Sequence, residues 1–342
     1  MNLIKKDRDI TLDFMKTVLV LEMITAHVFQ LCYSGGNKYI AAFSLFINVV
    51  TFSSFLFCFG CSSQLAYLGK YKVRAEVKQK LTKNFIRLLV CFYISGYAYL
   101  AFVGNGINIL DIFKVLLLWR IPGYSEFLLS FAMLNVVIYA CFKILQQVSV
   151  NKYKMGGVIL ISLIATFIPY KFIFIPIIGT FIGTTKFGCF PILQYFPFFI
   201  LGVYCQRNKA FFNKKLFTIA FLITAAISCH VIYTHDIPKR FPPSLLWILW
   251  PIFFTLAYYW ISNRLGKIVK NSGLKVFIDV FGAYTLDYLV ISNVLIFITR
   301  KFYGNNMSIG MSLAFALFLF SICFLYGLIK MKIRNGLYLQ KQ

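Results

Sequence analysis

Four ionisable side chains fall within one apolar stretch near the start of the chain, residues 11–33: Asp13, Lys16, Glu22 and His27. The stretch supplies the roughly 20 apolar residues that a helix needs to cross a lipid bilayer. Each ionisable group placed in hydrocarbon costs about 2.5–3.5 kcal/mol, so a passive membrane anchor would be expected to contain none of them. Their presence makes this stretch the first candidate for a functional site.

Helical spacing places three of these groups on one side of the predicted helix. At about 100° per residue, Lys16 and His27 lie about 20° apart and are separated by about 16 Å along the axis. Asp13 lies within about 60° of both, whereas Glu22 points about 140° away from His27. A simpler interpretation also stays open, in which Asp13 and Lys16 pair at the membrane edge and His27 is a hydrogen-bonded packing residue. The cost of burying charge favours the functional interpretation.

The chemistry that His27 could perform is general base catalysis. A neutral imidazole at this position could take a proton from an incoming hydroxyl as that hydroxyl attacks an acyl carbonyl. The other two histidines, His230 and His235, lie near the end of a later apolar stretch and in the loop that follows it. Cys58 and Cys61 form a C-x-x-C inside an apolar stretch, but no second cysteine pair and no histidine lies near them in the sequence, so a metal site is not predicted.

Further acidic side chains occur in later apolar stretches. Glu126 opens one of them beside Tyr124 and could orient the base or bind an acceptor hydroxyl, or it could be an interfacial residue. Asp279 and Asp287 stand eight residues apart on another stretch, within about 80° of each other on a helix. We expect each of them to form a structural ion pair, with Lys16 or with a neighbouring arginine.

The composition is that of an integral membrane protein with many spans. Of 342 residues, 60% are hydrophobic and 13% are charged, whereas soluble domains have about 45–50% and about 25%. The net charge of +25 would suggest nucleic-acid binding in a soluble protein, but the basic residues here lie in short loops, where membrane topology explains them. We therefore expect membrane lipid around the chain and no nucleic-acid partner.

The apolar stretches predict an all-α polytopic membrane bundle of about ten transmembrane helices, forming one domain over residues 1–342. The predicted spans are 11–33, 39–68, 86–104, 126–146, 156–176, 190–205, 216–234, 245–262, 276–299 and 309–331. Residues 112–119 form a further apolar piece that is too short to cross, which is typical of an interfacial or re-entrant segment.

Lysine and arginine residues predict the orientation of these spans. If the N-terminus is cytoplasmic, 25 of the 35 basic residues fall on the cytoplasmic side and nine on the opposite side, with Lys16 inside a span. Each inside segment is more basic than each outside one, so both termini, including the tail 332–342, are predicted to be cytoplasmic. Loop 69–87 has seven basic groups and one acid. It is either a topology signal that contacts anionic lipid or a site for a phosphorylated ligand such as a nucleotide-bearing cofactor.

The N-terminal residues resemble those of a known family. Arg8, Asp13 and Lys16, followed after ten residues by His27, resemble the opening motif of the acyltransferase 3 superfamily of bacterial membrane acyltransferases. That motif reads Arg, then Asp, then Arg or Lys, ten residues and His. Weaker similarities follow in the family's order, so that the resemblance covers about residues 8–330. They are FCFGCS at 57–62, YFPFFILG at 195–202 and GAYTLDYLVISN at 282–293.

Two positions depart from the family's pattern. The family often has R-x-x-R at the start of the third span, where this chain has Asn84 and Arg87, with Lys83 as a substitute for the first arginine. The late helix usually carries a histidine where this chain has Ser292. A related group, the heparan-glucosaminide N-acetyltransferase-like proteins, shares the pattern of the first span and stays open as an alternative.

The resemblance implies a reaction and a location. Such proteins usually take acetyl-CoA from the cytoplasmic side and transfer the acyl group to a hydroxyl of a glycan or glycolipid at the outer face. The location implied is the bacterial inner (cytoplasmic) membrane, crossed many times. The predicted site residues are His27, Lys16 and Asp13 for catalysis; Arg8, Lys16, Arg87 and Lys83 for the CoA phosphates; and Glu126 and Tyr124 for the acceptor.

Two other functions stay open from the sequence. A transporter or flippase of a lipid-linked saccharide would also use intramembrane charge and many aromatic residues. The clustering of charge on one span and the lack of evident internal repeats count against it. An N-acetyltransferase acting on an amino sugar would use the same groups and would form an amide where the O-acetyltransferase forms an ester.

Overall fold

The computed structural model describes residues 8–69, 74–104, 106–210, 212–269 and 272–339. Within these residues the secondary structure is helical, apart from one isolated bridge between Tyr33 and Met307. The helices are α1 (Ile10–Cys32), α2 (Lys38–Ala66), α3 (Arg74–Phe102), α4 (Ile109–Leu116), α5 (Glu126–Ala140), α6 (Phe142–Val150), α7 (Lys152–Ile164), α8 (Pro176–Ile182), α9 (Ile192–Asn208), α10 (Lys214–Thr234), α11 (Leu245–Leu249), α12 (Ile252–Val269), α13 (Leu274–Ala283), α14 (Thr285–Tyr303) and α15 (Ile309–Leu339). Two 3-10 turns, Ala165–Phe167 and Tyr170–Phe172, lie between α7 and α8.

Helix α1 lies at the centre of the bundle. Its start is fixed by the Asp9 carboxylate, which accepts hydrogen bonds from the backbone N–H groups of Thr11 and Leu12 at 3.1 and 3.4 Å. Such a cap stabilises a helix by about 1 kcal/mol. The helix packs against α2, α12, α13, α14 and α15. Its apolar residues divide between two buried clusters, one shared with α2, α3, α5 and α9 and the other with α13, α14 and α15.

Two glycines let α2 and α9 cross at very close range. A Cβ atom added to Gly60 would lie 2.1 Å from the backbone oxygen of Phe199, and one added to Gly202 would lie 2.1 Å from that of Phe57. The thiol of Cys61 donates a hydrogen bond of 3.2 Å to the backbone oxygen of Gly202 at the same crossing. The crossing therefore brings together the segments 57–62 and 195–202 that the sequence analysis singled out separately.

Several helices are long and apolar enough to span a membrane, which indicates a multi-pass membrane protein. In the described residues these are α2, α3, α10, the joined α11 and α12, and α15. Two bent pairs, α5 with α6 at 86° and α13 with α14 at 78°, would raise the count from five to seven if each is one span. The count of ten spans and the cytoplasmic orientation of both termini stay predictions.

Helix boundaries differ from the prediction at the basic segment 69–87. Helix α3 begins at Arg74, so residues 74–87 are helical and not a loop, while residues 70–73 lie outside the described part of the chain. The reason is a helical apolar face that continues into the basic segment, since Val77, Leu81 and Leu88 are all buried. The predicted tail 332–342 is likewise helical through Leu339, the end of α15.

The predicted span 156–176 is also wrong as a single helix. Helix α7 ends at Ile164, the two 3-10 turns follow, and α8 starts at Pro176. Pro169 and Pro176 lack the backbone N–H that a continuous helix needs, which accounts for the break. The apolar segment 112–119 overlaps α4, a helix of eight residues that is too short to cross a membrane, as predicted.

We expect Gly202→Ala to destabilise the protein by about 1–3 kcal/mol, because the added methyl group would overlap the α2 backbone. The measurement is the midpoint of thermal unfolding of the purified protein in detergent. Gly156→Ala in α7 is the matched control, since no atom lies within 4 Å of the added Cβ there. Equal unfolding midpoints for the two variants would contradict the close crossing of α2 and α9.

Candidate functional site

His27 is held by a side chain from the bent helix pair α13–α14. Its Nδ1 atom lies 2.9 Å from Oδ1 of Asn293 on α14. The ring also packs edge-on against Tyr124, with centroids 5.0 Å apart. Glu22, five residues earlier on α1, points to a different helix, where its Oε1 accepts a hydrogen bond of 2.5 Å from the Tyr258 hydroxyl. The prediction that Glu22 and His27 face different directions is confirmed.

The surroundings of Asn293 assign the tautomer of His27. The Asn293 amide nitrogen lies 3.1 Å from the backbone oxygen of Tyr124 and 3.3 Å from the Ser95 hydroxyl. A carbonyl oxygen can only accept, so the amide must donate there and must present its oxygen to the imidazole. Nδ1 of His27 therefore carries the proton, and Nε2 carries the lone pair that a general base uses.

A cavity of about 260 Å³ opens beside this imidazole, which is itself partly exposed. The polar residues that line this His27 cavity are His27, Gln30, Asn48, Thr51, Tyr124, Glu126 and Arg240. Aromatic rings supply much of the remaining wall, among them Phe52, Phe55, Phe127 and Phe190. The Oε2 atom of Glu126 is buried and has no hydrogen-bond partner in the described structure, so it is free to accept one from a ligand.

Tyr124 lies in the segment that leads into α5 and has the unusual backbone angle φ = 61°. Left-handed backbone is rare for an aromatic residue and concentrates at functional sites. Here it turns the Tyr124 carbonyl toward Asn293 while the ring lines the cavity. Burial, with a smaller contribution from the Glu126 charge, raises the pKa of Tyr124 to about 12, so its phenol stays neutral and can donate a hydrogen bond.

A second cavity, also of about 260 Å³, surrounds Lys16. The polar residues that line this Lys16 cavity are Lys16, Ser62, Ser63, Tyr67, Asn84, Arg87 and Thr285. The structure thus brings two of the predicted donor-binding residues, Lys16 and Arg87, to one cavity. In the described residues no hydrogen bond or ion pair engages the Lys16 ammonium directly, although it interacts electrostatically with the Asp13 carboxylate.

The two cavities adjoin at a pair of aromatic rings. Phe55 on α2 and Phe127 on α5 line both the His27 cavity and the Lys16 cavity. These rings therefore form a shared wall, with the imidazole on one side and the Lys16 ammonium on the other. Rotation of an aromatic side chain needs far less free energy than movement of a helix. Rotation of Phe55 and Phe127 is therefore the easiest way for the two cavities to connect.

The other predicted charges are engaged in ion pairs near Lys16. Arg8 makes two contacts of 2.8 Å with the Asp13 carboxylate, so Asp13 positions Arg8 and not Lys16. Gly282 makes room for that carboxylate, since a Cβ atom there would lie 2.5 Å from Cβ of Asp13. Neither Arg8 nor Asp13 lines the two cavities.

The two acids predicted on the ninth span are partnered as well. Asp287 accepts from Arg87 and from Lys330, both at 2.6 Å, as expected for a structural ion pair with an arginine. Asp279 forms a structural ion pair as expected, but its partner, at 3.2 Å, is Lys275 of its own helix and not Lys16 or an arginine. Lys275 and Asp279 are one helical turn apart, so the two side chains pair within α13 and not with a residue of another helix.

Two further predicted positions lie away from the cavities. Lys83 is exposed on α3 and lines neither of them, unlike Arg87 one turn later. Ser292 is fully buried, and its hydroxyl donates to the backbone oxygen of Leu289 in its own helix. The residue that reaches His27 is its neighbour Asn293.

Sequence reasoning missed two residues of the site. Asn293 is the last residue of segment 282–293, which resembles the family's late helix, but the sequence predicts no contact between it and His27. Its position in that segment is the feature that could have indicated the contact. The sequence places Arg240 in a loop, and its position in the cavity depends on how the turn between α10 and α11 folds back.

Comparisons with known proteins identify no family for this chain. A scan against protein-family models finds no match, and searches of curated proteins and of solved structures find none either.

Proposed function

We propose that this chain is a membrane acyltransferase. It moves an acyl group, most simply acetyl, from acyl-CoA to a hydroxyl of a cell-surface glycan or of its lipid-linked precursor. The proposed location is the bacterial inner membrane, with the Lys16 cavity toward the cytoplasm. The resemblance of Arg8, Asp13, Lys16 and His27 to the acyltransferase 3 superfamily belongs to this proposal.

One observation carries the proposal: a base and a cation line two adjoining cavities. Asn293 fixes the His27 tautomer that leaves Nε2 as a proton acceptor in the first cavity. Lys16 lines the second, where its ammonium has no direct partner among the described residues and charge-assisted hydrogen bonds could hold a phosphate. Acyl-CoA has its phosphates and its acyl group at opposite ends of a long arm. The roughly 16 Å between Lys16 and His27 along α1 suits such a molecule.

The two nitrogens of the His27 ring have separate roles in the proposed reaction. Nε2 of His27 takes the proton of the acceptor hydroxyl as the hydroxyl oxygen bonds to the acyl carbonyl carbon. The carbon–sulfur bond then breaks, and the imidazolium returns the proton to the leaving thiolate. Asn293 keeps Nδ1 as the donor throughout, so Nε2 stays directed at the reacting groups. The free Oε2 atom of Glu126 can accept a hydrogen bond from another acceptor hydroxyl.

A transporter or flippase of a lipid-linked saccharide is the second candidate, and the aromatic wall favours it. Two cavities closed from each other by Phe55 and Phe127 would also suit alternating access. Membranes that contain the protein distinguish the two: an acyltransferase releases free CoA and labels the glycan, whereas a flippase moves the saccharide without consuming acetyl-CoA. Mild base releases an ester-linked label and not an amide-linked one, which separates O-transfer from N-transfer.

We expect His27→Ala to reduce acyl transfer by about 10²–10⁴-fold, the usual contribution of a positioned general base. The measurement is transfer of labelled acetyl from acetyl-CoA to glycan in membranes with equal amounts of protein. His230→Ala is the matched control, because His230 is exposed on α10. Undiminished transfer by a well-folded His27→Ala protein would refute the assignment.

We expect Asn293→Ala to lower kcat by about 10–100-fold, less than removal of the base itself, because the imidazole loses the partner that fixes its tautomer. The KM for acetyl-CoA should change little, since Asn293 does not line the Lys16 cavity. Ser292→Ala, one residue earlier, removes a hydroxyl bonded within its own helix and should leave kcat unchanged. If the two variants lose activity equally, Asn293 acts through packing and not through His27.

We expect Lys16→Gln to raise the KM for acetyl-CoA by about 10–100-fold, because a charge-assisted hydrogen bond contributes about 1.5–3 kcal/mol. Lys83→Gln should leave the KM unchanged, since Lys83 is exposed and outside the cavity lining. Steady-state kinetics over a range of acetyl-CoA concentrations make the comparison. A larger effect from Lys83→Gln would move the donor site to the surface of α3.

A further inference from the structure

Arg240 stands over the His27 cavity on an aromatic platform. It lies in the turn between α10 and α11, where Ser244 N–H donates to the Lys239 backbone oxygen at 2.9 Å. Its guanidinium carbon is 5.1 Å from the centroid of Phe190 and 4.8 Å from that of Phe241. Phe190 is buried and stacks on Phe52 at 4.0 Å, whereas Phe241 is exposed. The guanidinium therefore lies against one packed ring and one ring at the surface.

The charge of Arg240 is not neutralised by an ion pair. No carboxylate of the described chain forms one with it, and its buried Nε has no hydrogen-bond partner there. Glu126 lines the same cavity and interacts with Arg240 electrostatically, but not in direct contact. A guanidinium group without an ion-pair partner in a partly buried site favours an anionic ligand.

We propose that the His27 cavity binds an anionic saccharide, whose carboxylate or phosphate pairs with Arg240. This inference rests on the proposed function, in which that cavity receives the acceptor, and it narrows the acceptor to a charged class. A planar guanidinium stacked on aromatic rings presents its N–H edge for two parallel hydrogen bonds to an oxyanion. A neutral sugar would leave that charge unmatched. The anion on Arg240 and a hydroxyl on Glu126 would together orient the saccharide toward Nε2 of His27.

The test measures binding and not acyl transfer. Purified protein in detergent is titrated with glucuronate, glucose 1-phosphate or glucose at constant ionic strength, and the thermal unfolding midpoint is followed. We expect glucuronate or glucose 1-phosphate to raise the midpoint saturably, and glucose to raise it far less. The stronger of the two anions identifies carboxylate or phosphate as the recognised group. Equal shifts from all three probes, or none from any, would overturn the proposal without the use of any variant.

Three variants locate the site. Arg240→Gln should weaken the binding of the anion by about 10–100-fold, the usual effect of losing a charge-assisted hydrogen bond. Lys239→Gln removes an exposed neighbouring charge and should leave binding unchanged. Lys16→Gln is tested with glucuronate, which has no phosphate, and a loss of binding there would assign the anion to the Lys16 cavity and overturn the proposal. If Arg240→Gln does not fold, Arg240→Lys replaces it, and undiminished anion binding by that variant would count against planar recognition.

The outcome is separable from that of the proposed function. Probe binding needs no acetyl-CoA, so it is measured on the unmodified chain without any acyl donor. If anion binding depends on Arg240 but the protein transfers no acyl group, the anion site is supported and the proposed acyltransferase activity is refuted. If acyl transfer depends on His27 but the protein shows no preference for an anion, the acyltransferase activity is supported and the anion site is refuted.

Discussion

Three polar side chains on the central helix have partners outside that helix, and these contacts orient it within the bundle. Asp13 binds Arg8, Glu22 binds Tyr258 on α12, and His27 binds Asn293 on α14. Leaving any of these groups buried and unpaired would cost several kcal/mol. The pairs therefore fix the rotation of α1 about its own axis, and with it the direction in which His27 and Lys16 point.

Close backbone approach is the second constraint, and it acts through glycine. Gly60 and Gly202 let α2 and α9 touch, while Gly282 lets α13 reach Asp13 on α1. With α2 held in this way, Phe55 stands between the two cavities. The packing of α2 against α9 therefore also sets the position of a ring that lines both cavities.

In the proposed function, the groups that lie unpaired at the cavities of the described structure are the ones that contact ligands. In the described structure Lys16, Arg240 and the Oε2 atom of Glu126 line cavities without a direct partner, whereas neighbouring charges such as Arg87 and Asp287 are paired. A protein that neutralises most of its interior charges and leaves these exposed to a cavity has sites for ligands of matching chemistry.

The sequence by itself determined the helical class, the membrane-like composition and the importance of α1, because these depend on hydrophobicity and on spacing along a single helix. It also separated Glu22 from His27, for the same reason. Only the tertiary structure decided which residues meet. Asn293 contacts His27, Lys275 pairs with Asp279, and Arg240 lines the His27 cavity. These contacts join residues from different helices, or depend on which of several nearby charges is closest. Neither the periodicity nor the composition of the sequence specifies which partner a residue contacts. The start of α3 at Arg74 could have been predicted from the sequence, because its buried apolar residues have helical spacing. The many basic residues between them led to the prediction of a loop.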